Sequence, residues 1–169
     1  MTRSRDSLDP ALVLSLAQVR EVYREMETRR VERDCVLRTD CCRFRLTGLT
    51  PYLTRGEALV AALALRAVGS TSVAVRSDGA CPLLNDDGKC RIYDGRPLGC
   101  RTHFCDEAGG PYPRRDVLDL IRRLEAVDHE LGGDGARTLP AALQQAIADL
   151  GRREDGPRSS RRRDRSRRD

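Results

Sequence analysis

Behind Asp9-Pro10, Leu12, Leu16, Val19, Tyr23 and Met26 fall three or four residues apart. That spacing is the stripe of an amphipathic helix. Asp9 suits the cap and Pro10 the first helical position. The pattern predicts a helix from Pro10 to near Glu32, with Arg and Glu on its other face. A second start signal, Thr54-Arg55-Gly56-Glu57, has the form of a capping box ahead of an apolar run. Leu59, Leu63 and Val68 continue that helix, and Gly69 stops it. Two more helices are expected. One runs from about Arg114 to Leu131, with Val117, Ile121, Leu124 and Val127 inward and Gly132-Gly133 at its end. The other starts near Thr138 and turns Leu139, Leu143, Ile147 and Leu150 inward.

Between the second and third helices the period changes. Residues 72–76 (Ser-Val-Ala-Val-Arg) read as a short strand. Two turns, Ser77-Asp78-Gly79 and Asn85-Asp86-Asp87-Gly88, frame a small hairpin with Cys81 and Cys90 near its ends. The expected fold is therefore mainly α with a small β-hairpin, a compact cysteine-cluster domain flanked by helices. The helical lead-in covers residues 1–34, and the cysteine-cluster domain with its C-terminal helices covers 35–151. A tail of Arg, Asp, Ser and Gly with almost nothing to bury covers 152–169, and it is expected to be disordered.

Composition sharpens this picture at three points. First, the chain of 169 residues has no Trp and only six Phe and Tyr, so its core must be aliphatic. Second, no stretch approaches the roughly 20 apolar residues of a membrane span. The charged start, Met1 to Pro10, lacks the apolar run of a secretion signal, so a cytoplasmic location is expected. Third, the net charge of +5 lies wholly in the tail: residues 152–169 carry nine Arg against four acids, and the rest of the chain balances. The tail reads as solvated. The alternative, an adaptor role in which it binds nucleic-acid phosphates or an acidic protein partner, is weakened by interspersed Asp and by the lack of aromatics for base stacking.

All seven cysteines (Cys35, Cys41, Cys42, Cys81, Cys90, Cys100 and Cys105) lie within positions 35–105, outside the apolar helical faces. Cytosolic thiols stay reduced, so clustered cysteines there point to metal or redox chemistry. Thiolates select zinc, iron–sulfur clusters and copper(I). Zinc and iron–sulfur clusters each take about four such ligands, which seven thiols exceed. His103, between Cys100 and Cys105, is an eighth candidate ligand. Cys41 and Cys42 are adjacent and are expected to diverge, serving two ions or one ion and a redox thiol. The arginines of this stretch (Arg38, Arg43, Arg91, Arg96 and Arg101) are candidates to offset thiolate charge and donate hydrogen bonds to sulfur. The chain carries no Walker loop, dinucleotide fingerprint, nucleophile elbow or H-E-x-x-H sequence.

Three patches together resemble the YkgJ-type cysteine-cluster family of zinc- or iron-chelating domains. They are Cys35-x5-Cys41-Cys42, Thr54-x2-Glu57, and the run from Cys81-Pro82-Leu83-Leu84 through Lys89-Cys90-Arg91-Ile92-Tyr93 to Arg96-Pro97-Leu98-Gly99-Cys100-Arg101. The resemblance implies bound zinc or iron, an iron–sulfur cluster being one form of the latter, and it marks Arg96 and Arg101 among the arginines. The family pattern C-x2-C-x2-C-C places a further cysteine at position 38, where this chain has Arg38. A similar domain occurs within flagellin lysine methylases, which implies an enzymatic alternative: a metal-dependent activity on a protein or small molecule, with an open coordination position near Arg38 or His103.

Overall fold

The computed structural model describes residues 8–29, 38–105 and 108–155. Helix α1 spans Pro10–Thr28, and Asp9 caps it by accepting the Ala11 N–H at 3.0 Å. Its buried face carries Leu12, Leu16, Val19, Val22, Tyr23 and Met26. Helix α2 is a single turn, Phe44–Thr47. Strand β1, Tyr52–Leu53, leads into helix α3, Arg55–Ala67, through the expected capping box. Thr54 Oγ1 accepts the Glu57 N–H, and the Glu57 carboxylate accepts the Thr54 N–H in return. Helix α4 is short, Leu98–Thr102. Helix α5 runs Leu118–Glu130 behind a 3-10 turn at Arg114–Val117. Strand β2, Arg137–Thr138, precedes helix α6, Leu139–Asp155.

Helix α3 is the axis of the fold. Its sequence is apolar almost all round, and every residue from Gly56 to Ala62 is buried, as a helix of that composition requires. It packs against α1, α5 and α6. Gly56 marks the closest approach: a Cβ there would stand 2.9 Å from Val19 Cγ2 and 3.1 Å from Val127 Cγ1. Gly56→Val is therefore expected to force α1, α3 and α5 apart at a cost of about 2 kcal/mol. Urea unfolding reads it, and an unchanged midpoint would contradict this packing.

The small antiparallel sheet exists, but in another place. It pairs Tyr52 with Thr138 and Leu53 with Arg137, tying the entry of α3 to the entry of α6. Residues 72–76 form no strand, and Val75 is 78% exposed. The expected hairpin is reduced to one bridge, Leu84 with Cys90, around the turn at Asn85–Gly88. The chain turns at 82–83 and again at 91–92, and Pro82 has no N–H to extend the ladder, so one rung is all that fits. Val68, expected to continue α3, caps its end and is exposed. Helix α6 continues through Gly151 to Asp155, past the expected boundary at 152. The rest of that tail, 156–169, and the end of the first predicted helix, 30–32, lie outside the described residues. Among the described residues, no helix is long and apolar enough to cross a membrane.

Candidate metal centre

Three chain segments bring thiols together, and backbone hydrogen bonds hold each one. The first is a 3-10 turn, Asp40–Cys42, entered through Thr39 in a left-handed conformation (φ 63°). The second is the turn from Cys81 to Cys90. The two are joined directly, since the Cys81 N–H donates to the Cys42 carbonyl at 2.7 Å. Within the second, Leu84 N–H reaches the Cys81 carbonyl and Arg91 N–H the Leu83 carbonyl. The third segment is α4 with the residue after it, which carry Cys100 and His103. A five-residue helix leaves no periodic trace in sequence, which is why α4 was not visible there.

The result is one cavity of about 240 Å³ with Cys41, Cys42, Cys81, Cys90, Cys100 and His103 on its wall. Apolar groups complete the lining, among them Phe44, Pro51, Leu83 and Leu139, and the cations Lys89 and Arg96 stand at the same wall. Cys41 and Cys42 do not diverge: the tight 3-10 turn places both on this wall with their Sγ atoms 3.9 Å apart. Cys105 is half-buried and is not part of the lining. Cys35 lies outside the described residues. Arg38 is exposed beside Asp40, with its Nε 3.4 Å from the carboxylate, and it too stands outside the lining. Among the described residues, no three His, Cys, Asp or Glu side chains form a group that could hold a single ion.

The two arginines part company. Arg96 lies over the Tyr93 ring, 3.6 Å from its centre, and lines the cavity, as a residue offsetting thiolate charge must. Arg101 does not reach the sulfurs. It is buried and turned toward α1, where it donates to the Arg96 carbonyl at 2.8 Å, to the Asp94 carbonyl and to Glu27. Each of its three nitrogens thus donates to an acceptor other than sulfur. Sequence reasoning placed Glu57 only in a capping box and Tyr23 only in the core. A charged and a phenolic residue inside apolar helical faces were the signal that both do more.

The cavity controls protonation. Burial, with the neighbouring thiols, pushes Cys81 up to about 12 and also raises Cys90 and Cys100. In the adjacent pair one thiolate is favoured. The contact between the two sulfurs, a backbone N–H and Arg96 lower Cys41 to about 7, and the same contact with burial raises Cys42. Loading a metal therefore expels protons from thiols that hold them in the free protein. In metal-free protein at pH 7, iodoacetamide is expected to label Cys41 first, since the thiolate is the nucleophile. Its rate should rise through about pH 7. Peptide mass mapping over pH checks this, and equal labelling of all thiols would refute it.

No curated protein and no solved structure matches the chain. A family model, CxxCxxCC, described as "Putative zinc- or iron-chelating domain", matches residues 15–115, a span that holds all seven cysteines.

Proposed function

From the premise that the chain belongs to the CxxCxxCC family of metal-chelating domains, we propose that its thiol cavity holds a centre of several atoms, an iron–sulfur cluster, rather than one zinc ion. Cys41, Cys42, Cys81, Cys90 and Cys100 are its ligands or ligand reserve, with His103, Cys105 and Cys35 as further candidates. The observation that carries the reading is the size of a cavity walled by five thiols. One water needs about 10–15 Å³ of such a cavity, so about 240 Å³ is room for far more than one ion. A tetrahedral zinc draws its sulfurs to about 2.3 Å and fills its own site. Five thiols on one wall exceed the four that a tetrahedral zinc takes, and thiolates also select iron–sulfur clusters. When bound, an iron–sulfur cluster supplies one-electron transfer.

The protein's own residues complete the environment. Phe44, Pro51, Leu83 and Leu139 exclude water, and Lys89 and Arg96 offset the thiolate charge. A reducing, cytosolic setting belongs to this reading, because it keeps the thiols available. The test is iron, sulfide and zinc analysis of protein purified without oxygen, with a visible spectrum of the same sample. Iron and sulfide in equal amounts with a broad visible band are expected. Colourless protein with one zinc per chain would replace the cluster by a structural ion. Neither metal, with the cysteines paired as disulfides, would overturn metal binding altogether.

A further inference from the structure

Behind the thiol cavity lies a chain of buried polar side chains, none of which lines it. Glu57 on α3 is 3% exposed. One of its carboxylate oxygens accepts the Thr54 N–H and hydroxyl, and the other accepts the Leu98 N–H at 2.9 Å and the Tyr23 hydroxyl at 3.4 Å. Leu98 is the first residue of α4. The Tyr23 ring lies under the Arg101 guanidinium, 4.6 Å from ring centre to carbon. Arg101 curls back from α4 to hold the carbonyls of Asp94 and Arg96 in the segment just before that helix, and it reaches Glu27 on α1.

We propose that Tyr23, Glu57 and Arg101 are positioning residues of the metal centre, which fix the turn at Tyr93–Gly95 and the start of α4 and through them place Cys100 and Arg96 on the cavity wall. The proposal rests on the reading that this cavity holds a metal.

Three arguments carry it. A five-residue helix cannot sustain itself, because isolated helices shorter than about 12 residues are marginal in water. Its N-terminal donors have no partner within the helix, so what grips Leu98 N–H decides where α4 sits. Arg101 is also the side chain best suited to hold several carbonyls at once, since its planar fork donates in fixed directions. Finally, buried charges are poor stability devices. Apolar residues of similar volume often do as well or better, so a buried charge network here fits a role in fixing conformation. What these bonds specify is the backbone from Asp94 to Leu98, the approach to Cys100.

The experiment compares Glu57→Gln, Arg101→Lys and Tyr23→Phe in full-length protein as purified, with Leu124→Ala as a control for general destabilisation. Leu124 is equally buried but lies on α5, outside the network. Two quantities are read: the rate at which EDTA removes the metal, and the alkylation rate of Cys100 relative to Cys90 in the same sample. Glu57→Gln and Arg101→Lys are expected to release metal about tenfold faster than wild type, the lower end of what residues that orient ligands contribute. The Cys100-to-Cys90 ratio should rise with it. Tyr23→Phe keeps the ring under Arg101 and should shift both less. If the three variants only match Leu124→Ala, they act through general stability and the proposal falls. If wild-type protein carries no metal, the functional reading fails on its own. The alkylation ratio then decides the positioning claim, and an unchanged ratio overturns it. Should Glu57→Gln not fold, Arg101→Lys and Tyr23→Phe support or refute the claim by the same comparison.

Discussion

Replacing Cys90 and Cys100 together by serine is expected to remove at least nine-tenths of the bound metal and to lower the melting temperature by about 10 °C or more. The two thiols come from different segments: Cys90 closes the turn opposite Leu84, and Cys100 sits on α4. Metal bound by both cross-links parts of the chain that otherwise meet through few bonds. A serine hydroxyl is a poor ligand for the soft metals that thiolates select. Structural thiolate sites contribute about 10–16 kcal/mol of apparent binding energy in zinc-finger peptides, comparable to the roughly 5–15 kcal/mol of a whole domain. Losing such a centre therefore outweighs any one core substitution. Cys105→Ser supplies the contrast, because Cys105 is not part of the cavity lining. It should keep most of its metal. Metal analysis and a thermal melt on both variants decide. Retention of metal by the double variant, or equal loss in Cys105→Ser, would show that the cavity wall is not the ligand set.

The four long helices were legible because local signals mark where they begin or end. Asp9-Pro10, the Thr54–Glu57 box, Gly69 and Gly132 are local signals, and local signals survive without tertiary context. The cysteine cluster was legible as a list, since composition alone implies metal chemistry in a reducing compartment. Its shape was not. That Cys41 and Cys42 face the same way depends on a three-residue turn held by the Cys42 N–H to Thr39 carbonyl bond, and no period reports that. The sheet was misplaced for a related reason. Tyr52–Leu53 and Arg137–Thr138 are two-residue strands 85 positions apart, paired because α3 and α6 pack together. The alternating residues 72–76 had the right pattern but no partner edge. Arg101 was read as a sulfur neighbour because the family pattern marks it within the arginine-rich stretch of the cluster. On a helix, adjacent residues point about 100° apart, and that rotation carries it to Tyr23 instead.

Asp128→Ala should destabilise the fold by about 3 kcal/mol while leaving the metal content of each folded chain unchanged. Asp128 is 4% exposed, near the end of α5. Its carboxylate accepts the Arg55 N–H at 2.6 Å and the Gly135 N–H at 3.0 Å, and its carbonyl accepts the Gly133 N–H at 2.8 Å. One side chain thus joins the first turn of α3 to α5 and to the loop that leads to β2. Alanine leaves two N–H groups without their acceptor, at about 1–3 kcal/mol for a fully buried group and less where water can enter. It also removes a negative charge from the N-terminus of α3, where the helix dipole favours one by about 0.3–1 kcal/mol. Asn keeps the shape but turns an NH2 toward one of the donors, so Asp128→Asn should recover little. Gly133→Ala tests the same contact from the other side, because its Cβ would fall 2.4 Å from the carboxylate. At about 2–4 °C per kcal/mol for a chain of this size, Asp128→Ala should melt about 10 °C lower. Asp128 does not line the thiol cavity, so melting and metal content should separate here, whereas they move together when Cys90 and Cys100 are replaced. If Asp128→Ala lost its metal as readily as the cysteine variant, the centre would depend on the fold as a whole, and the cavity wall would not be its sole determinant.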